Sequence, residues 1–304
     1  MIPGILKTMQ AALLPDRGVI RVTGEAARGF LNGIVTSDIG KVAPGDARFA
    51  ALLTPQGKII VDFIVTEAAA EDGGGFFLDV PRALGPALAQ KLNFYKLRAK
   101  VTIEDLSDRL GVMALWDGSG ASEYGLTFPD PRLPALGLRV ILPPGVAPEA
   151  AADLGATLTD ADAYEAHRIA LGVPRGGHDF IYADTFPHEA DMDQLGGVDF
   201  HKGCYIGQEV VSRVEHRATA RSRVVPVAYD DHAPMPGLEV MAGDKQVGMM
   251  GSAANGRGLA MLRLDRVADA MTAGTPLVSG GVTLRPVKPD WATFVFPGDA
   301  KAAE

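Results

Sequence analysis

Cysteine is almost missing from this 304-residue chain: Cys204 is the only one, which excludes an internal disulfide and any multi-cysteine metal site. The six histidines, at 167, 178, 188, 201, 216 and 232, never fall three or four residues apart, so no zinc site is expected along one element. No stretch approaches the roughly 18 consecutive apolar residues of a membrane span, and no membrane partner is expected. Phosphate and nucleotide motifs fail as well. Lys58 of Gln56-Gly57-Lys58 sits where a P-loop lysine would, but Leu52 and Ile59 replace the first glycine and the hydroxyl. Gly118-Ser119-Gly120 has no third glycine at dinucleotide spacing, and no GxSxG elbow occurs. The first 18 residues lack a charged segment, an apolar run and a small-residue cleavage site. With a single cysteine, that pattern leads to the expectation of a cytoplasmic protein. A net charge of −8 excludes coating of nucleic acid by bulk attraction.

The residues present are those of a globular protein, 47% hydrophobic and 22% charged, and the length calls for two or three packed units. Residues 18–110 alternate strand-like runs (19–22, 49–53, 59–66, 76–80, 100–104) with helical ones (26–34, 82–95). Gly73-Gly74-Gly75 reads as a hairpin turn, and two strands followed by a helix, repeated, favour an α+β arrangement. A helix is expected over 161–171, ended by Gly172 and Pro174. From residue 223 onward, short apolar runs at 224–227, 238–241, 246–250, 258–264 and 283–286 are broken by glycine and proline. They predict a small all-β unit, a closed barrel or a jelly roll. The tail 298–304 reads as disordered.

The setting of Cys204 is polar and glycine-rich. Lys202 precedes it by two residues, Gly203 and Gly207 permit a tight turn, and 208–214 reads as the opening of a helix. A nearby ammonium and helix N-terminal amides both favour a thiolate, whereas a lone cysteine is also a common core filler. Asp62 interrupts an apolar strand, Tyr164 and Arg168 share a helix, and Arg213, Arg217, Arg221 and Arg223 form a basic run. That run reads as a solvated face, a clamp for an anionic tail or a local RNA contact.

The segment GGVDFHKGCYIGQEVVSR, residues 196–213, closely resembles the signature of the YgfZ family of folate-binding proteins, relatives of the glycine-cleavage T-protein, an aminomethyltransferase. RVTG at 21–24, FLNGIVTSD at 30–38, LTPQGKI at 53–59, FYKLRAKV at 94–101, RIALGVP at 168–174 and FPHE at 186–189 resemble further family segments in the expected order.

The resemblance implies an α+β, GcvT-like multi-domain fold, with two α+β subdomains around a central cleft and a small C-terminal β-barrel. The expected divisions are 1–222 (roughly 1–48 with 160–222, and 49–159) and 223–304. It implies a folate-binding accessory protein for assembly or repair of iron–sulfur enzymes, including tRNA-modifying ones, with tetrahydrofolate or a derivative as cofactor. A folate-dependent aminomethyl- or methyltransferase is the alternative, and a scaffold in which the motif only braces a turn is the third. Partners implied are folate and iron–sulfur enzymes or their assembly factors, with direct tRNA contact a weaker implication. Cys204 and Lys202 are the expected reactive pair. Asp62, Tyr164, Arg168, Tyr205, Gln208, Glu209 and Arg213 are the expected cofactor-binding residues, and no metal ligands are expected. In the aminomethyltransferases a glutamate pairs with the pterin where this chain has Ala170, with Glu189 or Asp191 as candidate substitutes.

Overall fold

The computed structural model describes residues 8–217 and 220–299. In chain order its main elements begin β1 (Gln10–Leu14), β2 (Arg17–Thr23), α1 (Ala27–Ile34), β3 (Ala47–Leu53), β4 (Ile59–Glu67) and β5 (Phe76–Pro81). There follow α2 (Gly85–Tyr95), β6 (Thr102–Asp105), β7 (Gly111–Trp116), β8 (Leu126–Pro129), β9 (Leu138–Leu142), α3 (Ala147–Asp153), β10 (Thr157–Thr159) and α4 (Ala161–Ala170). After a long loop come α5 (Gln208–Arg217), β11 (Ser222–Ala228), β12 (Glu239–Ala242), β13 (Lys245–Ala254), β14 (Arg257–Arg263), α6 (Leu264–Thr272), β15 (Leu277–Ser279) and β16 (Val282–Pro286).

Contacts divide the chain into two compact units. The first holds residues up to Pro55, Ile60–Tyr164 and Leu195–Gln208; the second holds Gln56–Ile59, Glu165–Gln194 and everything from Glu209. Two of the divisions fall within helices, after Tyr164 in α4 and after Gln208 at the start of α5.

The first unit is built on two five-stranded sheets, ordered β10-β1-β7-β9-β8 and β3-β4-β5-β2-β6. Strand β7 lies between β1 and β9, antiparallel to both, and all six of its residues are buried. A strand covered on both faces reads as a continuous apolar run, as Gly111–Trp116 does. The β4–β5 hairpin turns through Gly73, Gly74 and Gly75, all at positive φ, as expected from the triple glycine. Helix α1 buries Ala27, Leu31 and Ile34, one face of a 3.6-residue period, against the sheet that holds β4.

Buried charge ties the two sheets of this unit together. Arg139 on β9 pairs with Asp79 on β5 and with Asp130, 2.9 Å away; Arg17 and Arg132 complete the cluster. Both carboxylates are fully enclosed by guanidinium groups, the condition under which buried ions are tolerated.

The second unit contains the closed barrel β11-β14-β13-β12-β15-β16. Val225 and Val227, Ala260 and Leu262, and Val282 and Leu284 alternate into its interior with a period of two. Closure leaves no sheet edge exposed, and the expectation of a small all-β unit is met as a closed barrel. The expected disordered tail falls mainly on 300–304, outside the described residues.

Candidate functional site

Cys204 is exposed, on a loop four residues ahead of the first residue of α5. This agrees with the polar, glycine-rich flanks of Cys204, although Lys202 and Tyr205 on either side of it are buried. Gly207 takes φ +81, where a side chain would be strained, and so turns the chain into the helix. Gly203 has ordinary φ and open space around it; no conformational demand explains it.

Lys202 does something other than expected. Its Nζ turns inward and donates to three backbone carbonyls, Asn32 at 2.7 Å, Val35 at 2.7 Å and Ser37 at 2.8 Å. Those carbonyls belong to the last turn of α1 and the residues just past it, where helical C=O groups have no intrahelical partner. An ammonium has three donors, and all three are engaged. Lys202 thus caps α1 and anchors the Cys204 loop instead of hydrogen-bonding the thiol. Burial pulls its pKa down to about 8, against the opposing pull of Asp38 and Asp199.

Neighbouring contacts fasten the same loop. The Thr36 hydroxyl donates to Gly197 O at 2.6 Å and accepts from Ala51 N at 2.8 Å, and Asp199 N donates to Thr36 O. Burial pushes Asp199 up, but the His201 amide and Lys41 outweigh it and hold the carboxyl below the usual range. Tyr205 is nearly buried beneath the Lys202 ammonium, 5.2 Å from the ring centre, and burial raises its hydroxyl to about 12. Gln208 and Glu209 open α5, where Glu209 pairs with Arg213 at 3.1 Å on the exposed face.

Beside this loop, within the same unit, lies a cavity of about 360 Å³ whose lining includes Ser37, Arg48, Phe49, Asp199, Phe200 and His201. It gathers a guanidinium, an imidazole, a carboxylate and two aromatic rings. None of these six was named as a site residue from the sequence, although Asp199, Phe200 and His201 lie in the 196–213 signature and Ser37 in the 30–38 segment; only folding brings those segments to Arg48 and Phe49.

The expected cofactor residues fall into different settings. Asp62 is buried on β4, only 6% exposed in an otherwise apolar strand. Tyr164 is buried too; its hydroxyl accepts from Arg139 at 3.1 Å and its ring packs against Trp116, 5.6 Å between centres. Arg168 belongs to the second unit, and its five donors meet Glu165 twice, Val173 O, Asp179 and the Ser252 hydroxyl at 2.6–3.2 Å. That leaves it no donor for a ligand. Ala170 is exposed, so nothing at that position substitutes for the missing glutamate. Of the candidate substitutes, Glu189 accepts from Phe186 N through one oxygen, and Asp191 is buried with Oδ1 paired to Arg223 and Oδ2 without a hydrogen-bond partner.

The basic run does not act as a unit. Arg223 is buried in pairs with Asp191 and Asp193, Arg213 pairs with Glu209, and the Arg217 side chain lies outside the described residues. Among the described residues one group with metal-ligand character emerges from tertiary structure: His188, Asp193 and Glu215 place ligand atoms within 4.8 Å of one another. Glu215 meets His188 Nε2 at 3.0 Å and Arg223 donates to both oxygens of Asp193, so a metal ion at this group would compete with those pairings.

Two protein families match the chain: the GCVT N-terminal domain over residues 16–123 and the CAF17 C-terminal beta-barrel domain over residues 221–294. Among similar proteins is one from Mycosarcoma maydis named iron-sulfur cluster assembly factor IBA57 homolog, mitochondrial. It is 34% identical over 234 residues, which cover 73% of this chain and 58% of that protein. The human iron-sulfur cluster assembly factor IBA57, mitochondrial, is 29% identical over 283 residues, covering 84% of this chain and 77% of its own. The chain thus spans less than two thirds of the length of several relatives it matches. The glycine cleavage system aminomethyltransferase T of Bartonella henselae shares the fold, with a TM-score of 0.73 at 16% identity over 95% of this chain and 88% of that one. The relatives' names correct the cytoplasmic expectation, since each is a mitochondrial protein. Cysteine scarcity separates oxidising from reducing compartments and cannot choose among reducing ones.

Proposed function

We propose that the chain, which has a GcvT-like fold and matches the CAF17 C-terminal beta-barrel domain, is an iron–sulfur cluster assembly factor of the IBA57 kind working through the Cys204 thiol. The observation that carries this reading is the exposure of the chain's only thiol on a loop fastened from beneath by Lys202 and Thr36. Iron–sulfur clusters are held by several thiolates at once. One cysteine can therefore supply one ligand, and the others must come from a partner. The loop suits a transient ligand: the sulfur is reachable, and its backbone is held where a partner's cluster could meet it. Lys202 and Tyr205 position it.

The proposal extends to a reduced folate, with Asp62 accepting from the ring's donors. Support comes from a carboxylate buried in an apolar strand and from the resemblance of the surrounding segments to folate-binding relatives. Served enzymes would include tRNA-modifying ones. Direct tRNA contact is not part of the reading: of the described side chains of the basic run, Arg223 is buried, Arg213 pairs with Glu209 and Arg221 alone is exposed without a carboxylate partner, too few cations for a phosphate-binding face. Aminomethyl transfer is not part of it either, since Ala170 stands where that chemistry has a glutamate.

The test is Cys204→Ser as the only copy in cells, with iron–sulfur enzyme activity as readout and circular dichroism of the purified variant as a folding control. Activity should fall towards that of cells lacking the protein, and Lys202→Ala should fall less. Wild-type activity in the serine variant under oxidative stress would sink the proposal. The folate part is tested separately by titrating tetrahydrofolate against Trp116 and Trp291 fluorescence. A saturable change lost in Asp62→Ala supports it, and no saturable change in the wild type overturns it.

A further inference from the structure

The end of α2 breaks two rules of a folded chain at once. The helix buries Leu88 and Leu92 and half-buries Tyr95, which keeps an apolar face at a spacing of three or four. Phe94 lies off that face and is 74% exposed. Two residues beyond the helix, Leu97 is 83% exposed and its backbone sits at φ +47. Left-handed backbone is disfavoured for a residue with a Cβ, and glycine or asparagine would fit there better. Burial would compensate for the misfit, but the Leu97 side chain is in water. The folded chain thus gains nothing visible from leucine at 97 or from phenylalanine at 94.

Charge points the same way. From Arg82 to Ile103 there are five basic residues and no acidic one, in a chain whose net charge is −8. Arg82 and Lys100 meet Asp108 and Glu25. Among the described residues no carboxylate pairs with Lys91, Lys96 or Arg98: Lys91 lies over the Tyr95 ring, Lys96 donates to Val101 O, and Arg98 is exposed. Phe94 is steadied edge-on against Tyr95, 5.7 Å between ring centres, so it would be presented with little rotamer entropy left to lose.

We propose that Phe94 and Leu97 anchor a docking surface for an acidic partner protein, entering an apolar depression whose rim of carboxylates meets Lys91, Lys96 and Arg98. An apolar anchor pair inside a ring of one charge is the pattern of an interface with a desolvated centre and a polar rim. Nucleic acid fits less well. Leucine offers no face for a base to stack on, and three cations neutralise few phosphates. The inference stands on α2 and its turn alone and does not depend on the iron–sulfur reading.

The probe is a fluorescein-labelled amphipathic helix of about 20 leucines and glutamates, read by anisotropy with the full chain. Saturable binding is expected, weakened at least about tenfold in Phe94→Ser and in Leu97→Gly and weakened by raised salt. Leu97→Gly should leave the thermal midpoint unchanged or higher, a result that a packing role for Leu97 would not give. Absence of saturable binding, or variants that bind like wild type, overturns the proposal. So does equal binding of the lysine version of the peptide. Tighter Phe94-dependent binding to a U-rich RNA or to anionic vesicles would replace the acidic protein with those partners and overturn it too. Phe94-dependent self-association in the ultracentrifuge would do the same.

Discussion

Arg168→Met separates a structural arginine from a ligand-binding one. In the fold its guanidinium meets Asp179 at 2.8 Å and brackets Glu165, and Asp179 is completely buried. Methionine keeps much of the volume but leaves the Asp179 carboxylate without a counter-ion. Breaking a buried pair in this way costs about 3–5 kcal/mol. Two amides continue to serve Asp179, Arg175 N at 2.8 Å and Ser252 N at 2.7 Å, which places the expected loss near the lower end, about 3 kcal/mol. The chain has two tryptophans, and the indole of Trp291 donates to Leu171 O at 2.9 Å, three residues beyond Arg168 and in the same unit. In a Trp116→Phe background, Trp291 emission therefore reports unfolding of that unit. With a urea slope of about 2 kcal/mol per molar, the midpoint should fall by about 1.5 M. Arg168→Lys retains the charge but not the fork geometry and should fall by roughly half as much. A midpoint within about 0.3 M of wild type, together with a lost tetrahydrofolate response, would refute the structural assignment and return Arg168 to the ligand.

Glu165 shows the same network through pH. Burial pushes it up, but Arg168 and Arg175 outweigh burial and hold it at about 2 rather than 4.5. Because the folded pKa is the lower one, the stability Glu165 contributes is complete above pH 4.5 and is lost as pH falls towards 2. The unfolding free energies of wild type and Glu165→Gln, read from urea titrations, should therefore differ by about 2 kcal/mol at neutral pH and converge in acid; a gap independent of pH would contradict this. Lys202→Met removes the donor from three carbonyls and should destabilise the first unit by about 2–3 kcal/mol, whereas exposed Cys204→Ser should stay within about 0.5 kcal/mol. Equal thermal midpoints for these two variants would mean that Lys202 is not an anchor.

Much of this protein is legible in local sequence, because local chemistry decides it. Glycine at 73–75 favours a turn, alternation of apolar residues builds the strands of a small barrel, and the polar, glycine-rich flanks of Cys204 suit an exposed loop. Lys202 and Arg168 differ in kind. Both were candidates because of the company they keep in sequence, yet each is defined by partners outside its own motif: Asn32, Val35 and Ser37, more than 160 residues away, for the lysine, and Asp179 on the next loop with Ser252 on a barrel strand for the arginine. Spacing cannot reveal whether a cation faces a ligand or a carbonyl, since the direction of a long side chain is set by whichever acceptors the fold brings within about 3 Å. Tyr164 and Asp62 were visible as an aromatic and a carboxylate, and their enclosure came only with the packing of sheets around them. Element type is written in periodicity, and charge, composition and one reachable thiol narrow the chemistry. Which cation anchors a loop, which braces a helix and which stays free is a long-range question of burial and hydrogen bonding, and only the tertiary structure decides it.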